Sequence, residues 1–506
     1  MAAPYSRNPL LSRTGTYPFQ RLTEARGVAA RLAEQDAVQA AGGAGGADGA
    51  DGADGAAASV AAGVGGRVAA EGARRLIDLG AGEPREPTPD LIRRTMVAAI
   101  EEETVSSYPL AVGLPELRAA IAAWAGRRYD VRLDPDRHVL PTLGSKELVF
   151  TLAMVLVDVA GGRDLVGVPQ PAYPVYERGA RFAGADVLEL PLRAETGFLP
   201  ELDAITPEQW SRLALLWVNY PNNPTAAVAS REWYRAAASL CREHGVVLAS
   251  DEAYSELWFT GDAPDSALQV AADGDGLEGV LVVNTLSKRS SMPGYRSGFV
   301  AGDATLIAAL KAFRPSVGVA PQRFVQRAAI AAWEDEAHVD EVRARYRDKL
   351  TLLQPGLDAL GLVDAGGPAS FFRWLALPAD WSAAPWAVRA LADPATADLI
   401  AILTDTDTDT DTDTDSGDGT DSGDGTDSGN GTDSGNGTDS GNGNGGTAAA
   451  GPGSAAFAAA LLRHGIVVAP GAFFGPAGEG YVRVALVPTA EDCATAAGRL
   501  LALTQA

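Results

Sequence analysis

The sequence predicts an α/β fold, with a large domain built on a mostly parallel central sheet covered by helices and a smaller α+β domain drawn from the chain ends. Two observations predict it. Between positions 165 and 303, six short apolar runs (165–168, 187–190, 213–218, 246–249, 280–283 and 298–301) alternate with amphipathic stretches. Strands separated by helices pack as a parallel sheet with both faces covered. The second observation is that polar residues of unusual composition follow several of these runs directly, and open α/β sheets bind ligands beyond the carboxyl ends of their strands. A length of 506 residues accommodates two domains.

Taken in order, residues 1–34 read as an extended arm and a short helix with Tyr17-Pro18-Phe19 as an apolar anchor. Residues 35–72 are nearly all Ala, Gly and Asp. So little large apolar surface cannot offset ordering entropy, and a disordered insert is expected. The large domain spans 73–333, its first part contributing to the small domain. It opens with a strand at 76–79, the turn Gly80-Ala81-Gly82-Glu83-Pro84 and helices at 89–103, 114–129 and 146–157. The small domain, 334–506, is expected to hold a long helix at 334–360 and strands at 370–375 and 480–486. It is interrupted at 404–447 by a Thr-Asp repeat followed by hexamers such as Thr-Asp-Ser-Gly-Asp-Gly. The spacing of Asp, Asn and Gly suggests calcium loops, but the bidentate glutamate of an EF-hand is missing, and a self-repelling acidic loop is the expected reading.

Composition narrows the function classes. The net charge is −24, and twelve aspartates between Thr404 and Thr447 supply half of it, so the folded part is moderately acidic. It has no basic patch of the kind that binds nucleic acid. No apolar run approaches the ~20 residues of a membrane span, and the first residues lack the apolar core of a secretory signal. The expectation is a cytoplasmic protein that binds neither membrane nor nucleic acid. Cys241 and Cys493 lie far apart and form no disulfide framework or metal-ligand cluster.

The chemistry centres on Asn284-Thr285-Leu286-Ser287-Lys288-Arg289, which follows the apolar run 279–283. An ammonium at a buried strand end is costly. Burial lowers a lysine's pKa and makes its amine a nucleophile toward a carbonyl cofactor. A surface lysine after a strand is the alternative. Two further strand ends carry polar residues: Tyr220-Pro221-Asn222-Asn223-Pro224-Thr225 and Ser250-Asp251-Glu252-Ala253-Tyr254. Either motif alone could be a turn or a helix start.

In this order and spacing, Asn223, Asp251, Tyr254 and Lys288 give the chain its resemblance to the fold-type I pyridoxal-phosphate aminotransferases, over nearly all of 76–487 apart from the repeat. The resemblance implies catalytic roles for Lys288, Asp251 and Tyr254. Lys288 would bond the cofactor and shuttle the substrate's α-proton, and Asp251 would keep the ring nitrogen protonated. Asn223 and Tyr254 would hydrogen-bond the phenolic oxygen. Tyr173 would stack on the ring, unless it is a core tyrosine. Gly144-Ser145-Lys146, opening a helix, would cradle the phosphate together with Thr285, Ser287 and Arg296. Tyr108 would reach the phosphate of a neighbouring subunit, which implies a homodimer with shared active sites. Arg483 and Gly82, with Asn223, would hold the α-carboxylate of small amino and oxo acids; for Arg483 the alternative is a surface strand arginine. The 195-residue span from Lys288 to Arg483 is long for the family, and the repeat accounts for the excess.

Within that family, Ser287-Lys288-Arg289-Ser290-Ser291-Met292-Pro293-Gly294-Tyr295-Arg296, Gly144-Ser145-Lys146-Glu147-Leu148 and Val467-Val468-Ala469-Pro470-Gly471 are similar to the succinyldiaminopimelate aminotransferases. This implies ping-pong amino transfer between glutamate and N-succinyl-2-amino-6-oxopimelate. Aspartate, aromatic or alanine-type specificity is the alternative, because cofactor residues do not encode the side-chain pocket. A non-catalytic cofactor-binding regulator would need a basic helix-turn-helix, and the first 72 residues contain none. Arg289 is read either as a contact for a distal carboxylate or as a structural ion pair. Thr225-Ala226 stands where relatives have Thr-Gly.

Overall fold

A computed structural model describes residues 8, 10–13, 16–43, 75–259, 261–274, 276–317, 320–404 and 453–505. The acidic repeat after Thr404 and most of the Ala/Gly-rich segment lie outside these residues.

Seven strands form the central sheet: β2 (Val139–Thr142), β3 (Leu165–Gln170), β4 (Asp186–Pro191), β5 (Leu213–Asn219), β6 (Val247–Asp251), β7 (Val280–Thr285) and β8 (Gly298–Gly302), in the order β2-β8-β7-β6-β5-β3-β4. All run parallel except β8, which is antiparallel to both neighbours. β2, β3, β5, β7 and β8 are buried along their whole length, the pattern of a sheet covered on both faces. Helices such as Ser145–Leu156 and Arg231–Glu243 supply the cover. A close approach marks the β8 end: a Cβ on Gly302 would lie 2.0 Å from the Val280 carbonyl oxygen.

The smaller domain draws on both ends of the chain. β1 (Ile77–Asp78) pairs in parallel with β11 (Ile466–Val467), while β9 (Val363–Asp364), β10 (Phe372–Ala376), β12 (Ala469–Pro470) and β13 (Tyr481–Ala485) form an antiparallel sheet in the order β12-β13-β10-β9. Helix Pro394–Thr404 packs against helix Ser454–Arg463, and Arg463 pairs with Asp393 at 2.6 Å. The repeat therefore connects two helices that are already fastened together, and long insertions in such closed loops cost little.

One expected boundary differs. The N-terminal helix runs from Pro18 to Gly43, past residue 34 and into the segment expected to be disordered; residues such as Ala33, Glu34, Gln35 and Ala37 are good helix formers, which outweighs the low apolar content. The long helix expected at 334–360 is present as Ala337–Ala359, and a separate helix, Arg323–Glu334, precedes it. Between the two, the Asp335 carboxylate accepts the His338 backbone N–H at 3.0 Å.

Candidate active site

The carboxyl ends of the parallel strands open into a cavity of about 500 Å³ that is walled on the other side by the small domain and the N-terminal helix. Each strand delivers one part. β5 ends in Asn219, whose amide donates to the Asp251 carbonyl at 2.7 Å and whose Oδ1 accepts the Asn223 N–H at 2.8 Å. β6 ends in Asp251 itself. β7 ends in Thr285, whose hydroxyl accepts the Ser287 N–H at 3.2 Å and starts the short helix Leu286–Arg289 that carries Lys288.

Lys288 Nζ reaches the Gly82 carbonyl at 2.5 Å and lies 5.5 Å from the Phe371 ring centroid and 5.9 Å from that of Tyr254. Burial, reinforced by the positive field of Arg483, lowers its pKa to about 8, so a substantial fraction of the amine is neutral near physiological pH. Asp251 accepts hydrogen bonds from the Tyr176 hydroxyl at 2.9 Å and the Ala253 N–H at 3.1 Å. Burial raises its carboxyl to about 6 against those bonds. A buried carboxylate held against its own desolvation is suited to a cationic partner. The Tyr254 and Tyr173 hydroxyls are pushed well up by burial and stay protonated.

The phosphate side is built on Gly144, the residue preceding helix Ser145–Leu156, with φ of 74°. A Cβ there would sit 2.5 Å from Arg296 Nη2. Only glycine lets that guanidinium lie across the helix start, where unpaired backbone N–H groups and positive dipole favour an anion. Arg296 is exposed at the rim and donates to the Leu143 and Pro293 carbonyls at 3.1 and 2.8 Å. Ser145, Lys146, Thr285 and Ser287 line the same end. Burial and Arg296 lower the Lys146 pKa.

Arg483, on β13, enters from the small domain and is 1% exposed. It donates to Asn223 Oδ1 at 2.8 Å and to the Gly80 carbonyl at 2.7 Å, and it lies over Phe372 at 4.0 Å and Phe474 at 4.7 Å. Burial lowers its pKa to about 10. Its Nε is buried with no hydrogen-bond partner, and its two protein partners are neutral oxygens. A buried guanidinium so placed has room to accept a carboxylate partner. Gly82 lines the cavity beside it, and a Cβ there would meet the Phe372 ring at 2.9 Å and Arg483 Nη2 at 3.7 Å.

Two expected residues stand elsewhere. Tyr108 is 96% exposed and does not line this chain's own cavity. Arg289 points away from it: 1% exposed, it pairs with Glu336 at 2.7 Å, donates to the Ala332 carbonyl at 2.5 Å and lies over Trp333. As a substrate contact it is therefore corrected to the ion-pair alternative. Successive residues on a helix point about 100° apart, so adjacency to Lys288 did not carry Arg289 into the site.

Sequence reasoning passed over Tyr176 and Asn219, which hold Asp251 and Asn223, and over the N-terminal helix, which lines the cavity with Tyr17, Phe19, Thr23 and Arg26. Tyr17 lies 5.0 Å from Lys146 Nζ, and Phe19 5.1 Å from the Arg483 guanidinium. The Tyr173–Tyr176 spacing at a helix start was a usable signal for Tyr176. The N-terminal helix offered only the aromatic pair of Tyr17 and Phe19.

The donor set fits pyridoxal phosphate: a glycine-cleared helix start flanked by hydroxyls and Arg296 for the phosphate, Asp251 for the ring nitrogen, aromatic Tyr173 beside it and a buried lysine. When bound, that cofactor supplies an aldehyde carbon and a ring able to take up the electron pair of the substrate's Cα–H bond. Comparison with known proteins agrees. Residues 74–405 match the family model for aminotransferase class I and II. The chain is 37% identical over 333 residues to the LL-diaminopimelate aminotransferase of Nitratidesulfovibrio vulgaris, covering 65% of this chain and 84% of that one. An aminotransferase structure from Neisseria meningitidis aligns over 98% of this chain and all of its own, with a TM-score of 0.69 and 30% identity. A probable N-succinyldiaminopimelate aminotransferase from Thermus thermophilus aligns over 86% of this chain and 99% of its own, with a TM-score of 0.63 and 26% identity. The chain belongs to the class I and II aminotransferases, pyridoxal-phosphate enzymes of fold type I.

Proposed function

We propose that this aminotransferase exchanges an amino group between glutamate and N-succinyl-2-amino-6-oxopimelate, a step toward diaminopimelate and lysine. The observation that carries the reading is the cavity itself: besides the cofactor residues and Arg483, its lining takes in Thr23 and Arg26 of the N-terminal helix. That is room and charge for a long acidic substrate. The diaminopimelate names of the relatives support the substrate class.

In this reading Arg483 and Asn223 hold the α-carboxylate and so fix the orientation of the Cα–H bond toward Lys288. With a pKa of about 8, Lys288 is poised to accept that proton and return it elsewhere as general acid. Asp251 would hold a proton at the ring nitrogen of the bound cofactor, Tyr254 and Asn223 would donate to its phenolic oxygen, and Tyr173 would cover one face. Ser145, Lys146, Ser287 and Arg296 anchor the phosphate. Exposed Tyr108, with exposed Val105 and Leu110 beside it, is assigned to a second copy's phosphate site in a cytoplasmic homodimer.

Purified enzyme given glutamate and a panel of oxo acids tests the reading. Preference for N-succinyl-2-amino-6-oxopimelate over 2-oxosuccinate, phenylpyruvate and pyruvate is expected, and lack of preference overturns it. A second reading, direct amino transfer from LL-diaminopimelate, is favoured by the 37% identical relative of that name. Higher kcat/KM for free than for succinylated diaminopimelate would select it.

A further inference from the structure

We infer that Arg26 of the N-terminal helix selects substrates with a second carboxylate, pairing with it while Arg483 holds the first. The inference deepens the proposed function and rests on its claim of a dicarboxylic substrate.

Arg26 lines the active cavity, with its side chain 36% exposed. Its Nη1 meets Asp78 Oδ2 at 2.8 Å, and Arg85 Nη2 meets the same oxygen at 2.8 Å. The other oxygen of Asp78, Oδ1, is taken by the Gly80 and Ala81 N–H groups at 2.9 and 3.1 Å. Two guanidiniums thus share one buried carboxylate, and one positive charge is left over. Arg26 Nε is buried with no hydrogen-bond partner. Arg85 faces a neighbouring cavity with Glu86 and does not line the active one, so the surplus is presented to substrate through Arg26.

The other cations on the cavity lining are already assigned. Lys288 is the reactive amine, Lys146 and Arg296 flank the helix start that takes the phosphate, and Arg483 takes the α-carboxylate. Among the described residues, Arg26 is the lining cation without such a task. A monocarboxylic substrate leaves its charge facing an apolar chain, whereas a dicarboxylate supplies a charge-assisted partner for the half-buried guanidinium.

The test uses the holoenzyme and two seven-carbon donors, 2-aminopimelate and 2-aminoheptanoate, which differ in the distal carboxylate. The wild type is expected to prefer 2-aminopimelate. Arg26→Gln should lower kcat/KM for 2-aminopimelate at least about tenfold more than for 2-aminoheptanoate, mainly through KM, and Arg26→Lys should restore part of the preference. Calorimetric binding of pimelate, which needs no turnover, should weaken by a similar factor in Arg26→Gln. A merely structural role, acting through Asp78 and the turn it shapes, would lower both donors equally. That result, an unchanged ratio or a wild type without the preference overturns the inference. The succinylated-substrate panel is independent of this ratio: if the panel fails while the Arg26 effect persists, only the named substrate falls.

Discussion

The two walls of the cavity are made by different means. On the strand-end wall, Asp251 and Thr285 are the last residues of β6 and β7, Lys288 follows three residues later, and Asn219 closes β5. Sheet register places these groups, and Asn219 ties neighbouring strands together through the Asp251 carbonyl and the Asn223 N–H. The opposite wall is assembled from three distant pieces of chain: the N-terminal helix, the turn at 80–83 and β13. Side-chain contacts hold it, such as Arg483 on the Gly80 carbonyl and Arg26 on Asp78. In the proposed reading, reaction chemistry rests on the most buried and regular part of the molecule, and substrate choice on a part that can vary without disturbing the sheet.

Substitutions on the first wall should stop the chemistry itself. Lys288→Ala removes the nucleophile and proton carrier together, and turnover should fall by at least about 10⁴-fold while circular dichroism and melting remain close to wild type. Full activity in this variant would overturn the assignment. On the second wall, Arg483→Lys keeps the charge but cannot reach Asn223, the Gly80 carbonyl and a substrate carboxylate together. A loss of about 10²-fold in kcat/KM is expected, carried mostly by KM for amino acids. A loss confined to kcat would move Arg483 to the chemical wall and break the contrast.

Asp251 shows what the regular wall costs in stability. Its folded pKa of about 6 lies above the ordinary carboxylate value, so without cofactor the folded state binds its proton more tightly than the unfolded state. This contribution favours folding at low pH and is lost as pH rises from about 4 through 6. Above that window the ionised, buried carboxylate opposes folding by about 3 kcal/mol as an order of magnitude. Asp251→Asn retains an acceptor for Tyr176 and removes the charge. The cofactor-free variant should therefore melt higher than cofactor-free wild type at pH 7.5, with the difference vanishing near pH 4, although turnover is severely impaired. A cofactor-free variant that melts lower at pH 7.5 would contradict the burial argument.

Legibility in the sequence follows the same division. The alternating runs marked six of the seven sheet strands, because a doubly covered strand must be apolar throughout and the residue after it must turn. Asn223, Asp251 and Lys288 were readable for that reason, and all three line the cavity. Tyr17 and Arg26 were not, since nothing local ties a helix at position 18 to a lysine at 288; their contact is a product of tertiary packing. Helix geometry explains Arg289. Ala226 adopts φ of 59°, so the turn after Asn223 holds a left-handed conformation despite the methyl group.

The smallest expected effect lies where the strand-end wall meets the rim, at Gly144. Alanine there has to adopt a φ of 74° that L residues rarely occupy, and its Cβ would press on Arg296 Nη2 at 2.5 Å. The chain can relieve the clash by swinging the exposed Arg296 side chain outward, away from the helix start, because its remaining anchors are two backbone carbonyls at the rim. Backbone strain of this kind costs roughly 1–3 kcal/mol, and the displaced guanidinium no longer faces the phosphate. The dissociation constant for pyridoxal phosphate, measured by equilibrium dialysis, should rise about tenfold or more, whereas kcat at saturating cofactor should change little because Lys288, Asp251 and Arg483 keep their places. Loss of kcat with unchanged cofactor affinity would mean that the glycine serves the reacting centre rather than the anchor, and the division between the walls would have to be redrawn.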